Sequence, residues 1–504
     1  MKKALSLLLV LVMALSLVTM TSAETEYAKE ITIATTISNL DPGITWNATH
    51  EQYQQLVFDT LLWIDPATDE AVMQLAKSVE WVDDTHMQLH VILKDGLLFS
   101  DGTPLTATDV EFSLTRHPVT YIADYYASCD IVSDTELYIN LKVPSTDFLT
   151  YLGWACGSIV SKAATEANPE GLALIGSGPY KYDMDTYIAK SSITLTTNEY
   201  YWGEATPTQI IHLVMLSDAS AAAVALQNGE IDYYQNFGDS NLPALEADPN
   251  VEVTRYTSTN FIYMGFNDHR DTTLVTEEEV NFRRAVACAI NKEDIVAGLG
   301  GGFVMTSMLG YDHPAYIANE SDYPDDLSYN PEKAKEYLAK AGGRKEFNCL
   351  VDSSRSWCVL SALVVQEYLR QVGITMNIVE TDGTGFTSMC KWDVYDYDAQ
   401  IYSNLYVARN SGYNLVKPKV AANRVCMNNP VVNEAIDKII TGANQEVKNE
   451  QWKIIQREVH DKVSFLPLVF RQMNYATTKG VQGIKLATYG PTWRIRDIVR
   501  VIGG

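Results

Sequence analysis

Apolar and polar residues alternate with a period of two in several short stretches of the chain, a pattern typical of half-buried strands. Residues 86–93 (HMQLHVIL) and residues 180–202 show this alternation. Other stretches repeat their apolar residues with the period of a helix. In the helix that Asn330-Pro331 opens, the predicted buried face consists of Ala334, Tyr337, Leu338 and Ala341. Both patterns occur along the whole chain and predict an α/β protein.

One stretch predicts a complete β-α-β unit. An apolar strand at residues 347–351 is followed by a helix over residues 358–371 and by a second strand, ITMNIVE. Strands joined in this way lie parallel, and parallel sheets bind ligands beyond the carboxyl ends of their strands. The loop from Asp352 to Trp357 is therefore expected to face a cleft.

Residues 93–114 (LKDGLLFSDGTPLTATDVEFSL) predict a structural corner of strand, turn and helix. The two Asp-Gly pairs in this stretch favour tight turns, because glycine adopts positive φ without steric cost. Thr106 then has the position of a helix N-cap, with Asp109 as the acid of a capping box.

The first 23 residues have the pattern of a secretory signal peptide. Two lysines precede an apolar run from Ala4 to Val18, and a small-residue segment ends at Ala23. The run is short for a membrane span of about 20 residues, so an uncleaved anchor is the weaker alternative. No lipobox cysteine lies near residue 23. We expect export to the periplasm, the extracellular space or the cell surface.

Charge and composition narrow the function further. The chain has 504 residues, 63 acidic against 38 basic side chains and a formal net charge of −25. Such acidity argues against binding to a nucleic-acid backbone. The length suggests two to four domains. With 29 tyrosines and nine tryptophans, the chain is rich in amphipathic rings that suit polar organic ligands.

Motifs for catalysis are absent from the sequence. His50-Glu51 is followed by Gln54 where a zinc protease needs a second histidine, and neither GxSxG nor GxxxxGK[ST] occurs. The glycine run that ends at Gly302 is followed by Phe303 where a dinucleotide motif needs glycine. The seven cysteines form no CxxC pair. We therefore predict no catalytic residue, no metal site and no cofactor, and a protein that is not an enzyme.

The corner at residues 93–116 closely resembles the signature of the family 5 extracellular solute-binding proteins, the peptide- and nickel-type receptors of ABC importers. Further segments resemble that family in the expected order. They are residues 40–65, 74–81, 175–182 (IGSGPYKY), 196–204, 226–233, 280–296, 329–342, 364–374 and 461–470. Together they span nearly the whole chain after the signal peptide.

The resemblance implies a two-lobed periplasmic-binding-protein fold of class II, similar to cluster C, with two hinge crossings and an extra domain in the N-terminal lobe. We expect domain I at residues 24–57, 176–262 and 472–504. Domain II, the extra domain, is expected at 58–175 and domain III, the second lobe, at 263–471.

The resemblance also implies a monomeric receptor that captures a peptide or similar small polar solute and delivers it to a membrane permease with its ATPase. A non-peptide organic anion, a metal chelate or a secreted signalling role on the same fold are the alternatives. Relatives that bind peptides carry a tryptophan and an acidic residue after a strand of domain III. Residues 396–410 (DYDAQIYSNLYVARN) lack both at that place.

The departure at residues 396–410 suggests a ligand with an anionic group. We hypothesise that Arg409 and Arg355 bind this group, because a guanidinium grips a carboxylate with two hydrogen bonds. The alternative for Arg409 is an ordinary ion pair with one of the chain's many acids. Further candidates are the rings expected to stack on the ligand and two residues near the cleft edge, namely Tyr402, Tyr406, Trp357, Trp46 and Asn47.

Overall fold

The computed structural model describes most of the chain. The described residues are 25–35, 37, 39–43, 48–116, 121–235, 239–269, 271–272, 275–394, 397–406, 409–442, 444–487 and 493–502. The predicted signal peptide, residues 1–23, lies outside them. Trp46 and Asn47 lie outside them as well.

The largest sheet in the described part of the chain has 11 strands. From one edge to the other these are β15 (Thr375–Thr381), β14 (Glu346–Asp352), β16 (Ala399–Leu405), β12 (Val251–Phe266), β17 (Phe465–Thr478), β11 (Tyr233–Gln235), β1 (Glu30–Thr35), β10 (Ile210–Met215), β9 (Ser192–Thr197) and β8 (Tyr180–Ile188), while β13 (Gly302–Val304) pairs with β17. The sheet contains parallel and antiparallel pairs, as an α/β protein predicts.

Two long strands, β12 and β17, connect the two lobes. The first half of β12, Val251–Thr257, pairs with the end of β17 beside β11. The second half, from Phe261, pairs with the beginning of β17 and with β16. The register shifts between Thr257 and Phe261, so each strand crosses from one lobe to the other near this irregularity. The predicted two-lobed fold with two hinge crossings is confirmed.

A separate four-stranded sheet forms the centre of the extra domain. Its order is β4 (Ala76–Trp81), β5 (Gln88–Leu93), β7 (Glu136–Leu141) and β6 (Tyr126–Ser133), and the hairpin of β2 (Leu62–Ile64) and β3 (Ala71–Met73) precedes it. The capping box at Thr106 is present, since its backbone N–H donates to Asp109 Oδ2 over 3.0 Å. The predicted corner is thus confirmed.

The chain enters and leaves the extra domain through two adjacent segments. A Cβ atom on Gly176 would lie 2.2 Å from the carbonyl oxygen of Val57, and one on Gly178 would lie 2.7 Å from that of Leu56. These glycines are required because the two backbones approach too closely for any side chain.

The helices pack on the sheets and bury their apolar faces in the lobe cores. Their bounds are Ala48–Val57, Ala107–Thr115, Tyr121–Tyr125, Phe148–Tyr151, Lys162–Ala167, Ala219–Gln227, Leu242–Glu246, Glu277–Ala289, Lys292–Gly298, Pro331–Ala339, Ser356–Gln371, Gly383–Met389, Pro430–Thr441 and Gln445–Lys462. Two small antiparallel pairs complete the fold near the C-terminus: β18 (Val481–Gln482) with β21 (Val499–Arg500), and β19 (Lys485–Leu486) with β20 (Trp493–Arg494).

The predicted β-α-β unit is present, with β14 and β15 parallel around the helix Ser356–Gln371. The helix begins two residues earlier than predicted. Strand β16 pairs with β14 in parallel, and its last residue, Leu405, lies opposite Asn260 beside the hinge irregularity. The carboxyl ends of β14 and β16 therefore point towards the other lobe.

All seven cysteines are free thiols. Within the described ranges, none of the helices has the length and apolar character needed to cross a bilayer.

Candidate functional site

Arg355 lies between the end of β14 and the helix Ser356–Gln371, and its side chain is fully engaged within the lobe. Its Nε donates to Asp352 Oδ2 over 3.1 Å. One terminal nitrogen donates to the carbonyl and hydroxyl oxygens of Ser403 over 3.0 and 2.9 Å, and the other to the Tyr402 hydroxyl over 2.8 Å. The guanidinium also lies 4.3 Å from the centre of the Tyr402 ring. These contacts tie the ends of β14 and β16 together.

Trp357 joins the same group of side chains. Its indole Nε1 donates to Ser403 Oγ over 2.8 Å, and the guanidinium of Arg471 lies 3.9 Å from its ring centre. Arg471 belongs to β17 where this strand crosses between the lobes. Arg355, Trp357 and Tyr402 thus meet at Ser403; we refer to these four residues as the Ser403 cluster.

Tyr406 does not join the Ser403 cluster. Its ring stacks on Phe261 with the ring centres 4.5 Å apart, and its hydroxyl donates to the carbonyl of Met308 over 2.5 Å. Only 2% of its surface is exposed. A ligand that stacks on Tyr406 would first have to displace these neighbours.

Arg409 follows the end of β16 and lies in a different electrostatic environment. Its Nε is buried and has no hydrogen-bond partner among the described residues. It acts on Asp69, at the hairpin loop between β2 and β3, together with Asp312, Arg494 and Asp147. We call these five residues the Asp69 cluster. They come from both lobes and from the extra domain, so the cluster lies where the three parts of the molecule meet.

Burial raises the pKa of Asp69 to about 7, and the carboxylates of Asp312 and Asp147 act in the same direction. The guanidinium groups of Arg409 and Arg494 lower it and offset part of this effect. Asp69 therefore titrates near neutral pH. The cluster presents both anionic and cationic groups, which suits a polar or zwitterionic ligand.

The wall behind Arg409 is held by buried hydrogen bonds. Asn410 Oδ1 lies 3.2 Å from His313 Nε2 and accepts from Trp452 Nε1 over 3.1 Å. Burial lowers the pKa of His313 to about 4, with a smaller contribution from the Arg409 charge. The imidazole is thus neutral at physiological pH. Trp452 is fully buried, so this wall is rigid.

Direct contacts join the extra domain to the second lobe beside the Asp69 cluster. The hydroxyl oxygens of Tyr125 and Tyr413 lie 3.2 Å apart. Lys448 Nζ donates to Thr146 Oγ1 and lies 3.5 Å from Asp147 Oδ1. These contacts are largely buried and keep the two parts together.

Sequence reasoning missed Asp69, Asp147 and Ser403. Asp69 occurs in a turn segment (DPATDE), and such segments are usually exposed loops. Only the meeting of three separate chain segments shows its surroundings. In the described part of the chain, histidine, cysteine and carboxylate side chains form no group of three that could hold a metal ion.

Comparison with known proteins supports the fold. The chain is 24% identical to the glutathione-binding protein GsiB of Escherichia coli over 432 residues, which is 80% of this chain and 81% of that protein. Its structure is similar to that of the ABC transporter substrate-binding protein CtaP from Listeria monocytogenes, with a TM-score of 0.81 and 20% identity, covering 95% of this chain and all of that one.

A dipeptide-binding protein from Pseudoalteromonas, solved in complex with Met-Leu, is also similar, with a TM-score of 0.77 and 19% identity. The alignment covers 94% of this chain and all of that one. The family model for bacterial extracellular solute-binding proteins, family 5, matches residues 70–416. The chain therefore belongs to the family 5 bacterial extracellular solute-binding proteins.

Proposed function

We propose that this protein is the extracytoplasmic receptor of an ABC importer and that it closes its two lobes around a peptide or a similar small polar solute. The Asp69 cluster carries this proposal, because it combines charges from both lobes with the buried Arg409 Nε, which lacks a hydrogen-bond partner among the described residues. A ligand with polar groups can satisfy such atoms when the lobes enclose it.

Binding works by a shift between open and closed states. A ligand that contacts both lobes makes all its contacts only in the closed state, so it increases the population of that state. Closure also removes water from the site, which strengthens each hydrogen bond and ion pair inside. The closed form is then the one that the permease recognises.

The proposed division into domains follows from the crossings. Domain I consists of residues 24–57, 176–262 and 472–504, domain II of 58–175 and domain III of 263–471. The close approach of Gly176 to Val57 supports the two borders between domains I and II. The register shift after Thr257 supports the borders of domain III, since β12 and β17 change lobes there.

Arg409 is the residue proposed to bind an anionic group of the ligand. Its guanidinium has donors for two parallel hydrogen bonds to a carboxylate. Arg355 uses its donors on Asp352, Ser403 and Tyr402, so its proposed role is to fix the wall of the cleft at the end of β14.

A non-peptide organic anion is the second candidate ligand, and the two arginines of the Asp69 cluster favour it. The sequence alternatives of a metal chelate and of a signalling role remain outcomes of the ligand screen below. For location we propose export guided by residues 1–23, without a lipid anchor. The strongly acidic charge supports a receptor that does not bind nucleic acid, and we propose that it acts as a monomer.

The test is a thermal-shift screen with glutathione, Met-Leu, trialanine, citrate and nickel-histidine, followed by small-angle scattering with each stabilising compound. A ligand at 100 times its Kd should stabilise the fold by about 2.7 kcal/mol. We expect at least one peptide or organic anion to raise Tm and to reduce the radius of gyration. Turnover of a probe, or binding without any change in the scattering envelope, would contradict the proposal.

A further inference from the structure

A cavity of about 230 Å³ lies in the N-terminal lobe, between the β2–β3 hairpin and the C-terminal segment. Its walls include the rings of Trp63, Tyr201 and Trp202. Lys485 and Arg496 come from the C-terminal segment, and Arg494 lines the cavity beside them. We call this the Trp63 cavity. It is formed mainly by the junction of domain I with domain II rather than by the meeting of the two lobes.

The charge of this cavity is opposite to that of the protein. Three cationic side chains line it, and Asp497 is the single acidic one among its described lining residues. The whole chain has 63 acidic and 38 basic side chains. Because a site of local positive potential in an acidic protein attracts anions selectively, the Trp63 cavity favours an anionic ligand.

The floor of the cavity offers nothing to a cationic ligand. Asp59 is completely buried there and accepts hydrogen bonds from Trp202 Nε1 over 2.7 Å, Gln74 Nε2 over 2.8 Å and Arg496 over 2.5 Å. Ser177 Oγ donates a further bond over 3.3 Å. This carboxylate is therefore saturated by the protein's own donors, which also hold the cavity in shape.

The aromatic walls select for a planar group. The guanidinium carbons of Arg494 and Arg496 lie 5.5 and 5.8 Å from the centre of the Trp63 ring. Arg496 also lies 5.6 Å from the ring centre of Tyr201. Indole faces and guanidinium planes both stack on flat groups. Since the volume is below that of an ordinary drug-sized pocket, one ring fills it.

We propose that the Trp63 cavity is a second binding site, specific for a small aromatic carboxylate, in addition to the cleft between the lobes. The ring of the ligand lies among the aromatic walls, and its carboxylate lies towards Lys485 and the arginines. Arg494 also belongs to the Asp69 cluster, so it cannot distinguish the two sites. Trp63 and Lys485 belong to the cavity alone.

The test is isothermal titration of the purified protein with benzoate, cyclohexanecarboxylate and benzylamine. We expect saturable benzoate binding in a single site, about fivefold weaker binding of cyclohexanecarboxylate and at least about tenfold weaker binding of benzylamine. Trp63→Leu should weaken benzoate about fivefold and Lys485→Glu about threefold. The matched controls Trp81→Leu and Lys181→Glu, both in the same lobe, should leave benzoate affinity within about twofold of the wild type.

Arg409→Ala separates this site from the proposed cleft site. It should leave benzoate affinity unchanged while it weakens a cleft ligand, and a failure of the cleft proposal leaves the benzoate result as it is. If Trp63→Leu no longer melts cooperatively, the exposed Lys485→Glu variant decides. Loss of benzoate binding in Arg409→Ala, equal binding of benzylamine, unchanged affinity in Lys485→Glu, or no saturable binding up to about 20 mM each overturns the proposal.

Discussion

Arg355 and Arg409 follow the carboxyl ends of two neighbouring parallel strands, yet the structure places them in opposite situations. Arg355 has protein partners for each nitrogen and lies in the Ser403 cluster. Arg409 has a buried Nε without a hydrogen-bond partner in the described ranges and faces charges from other parts of the molecule. The same residue type at equivalent places of one sheet thus stabilises a lobe in one case and is available to a ligand in the other.

Arg355→Ala should produce the largest loss of stability. It removes several charge-assisted hydrogen bonds and leaves Asp352, whose side chain is 3% exposed, without its cation. We expect the free energy of unfolding in urea to fall by about 2–4 kcal/mol. Arg370→Ala, on the same helix but 71% exposed, should change it by less than about 0.5 kcal/mol. Equal effects of both substitutions would remove the difference drawn between Arg355 and Arg409.

Arg409→Ala should instead weaken ligand binding and leave stability nearly unchanged. Hydrogen bonds to charged groups contribute about 1.5–3 kcal/mol, so we expect affinity for an anionic cleft ligand to fall about thirtyfold or more by isothermal titration. Arg409→Lys keeps the charge but loses the paired geometry, and its affinity should lie between those of the wild type and the alanine variant. Wild-type affinity in Arg409→Ala would show that this arginine is only part of the fold.

The pH dependence of Asp69 sharpens the description of the Arg409 environment. Because the pKa of Asp69 is raised to about 7, the folded protein holds this proton more tightly than the unfolded chain does. Its contribution therefore makes the protein less stable as pH rises from about 4 to about 7. Asp69→Asn should be about 1–2 kcal/mol more stable than the wild type at pH 8, after a discount for partial exposure, and nearly equal at pH 4.

Urea unfolding at several pH values measures this effect, and Asp95→Asn, at an exposed turn, is the matched control. Parallel stability curves for Asp69→Asn and the wild type would contradict a buried Asp69 at the junction of the lobes.

Lys448→Met should have the smallest effect, on closure rather than on ligand contact. Lys448 joins the second lobe to Thr146 and Asp147 of the extra domain. Its loss should lower the closed population and weaken ligand binding about threefold, with a larger radius of gyration in the presence of ligand. Lys453→Met, on the same helix and paired with Glu450 at an exposed place, should leave both quantities unchanged. Equal values for both variants would confine the lobe contact to Tyr125 and Tyr413.

The sequence by itself determined the elements and their order. The Thr106 capping box and the β-α-β unit around residues 356–371 were predictable because they depend on residues close together in the chain. The glycines beside Val57 also gave a usable signal, since a breaker cluster between two patterned regions predicts a crossing. The family resemblance then supplied the lobes that local patterns cannot define.

Only the tertiary structure decided which polar groups are committed to the fold. Whether Arg355 or Arg409 has partners depends on Ser403, Tyr402 and Asp69, which lie far from one or both arginines in sequence. Tyr406 likewise reads as a candidate stacking ring but is buried against Phe261. Burial and hydrogen-bond partners arise when distant segments meet, and they set the pKa and availability of each side chain.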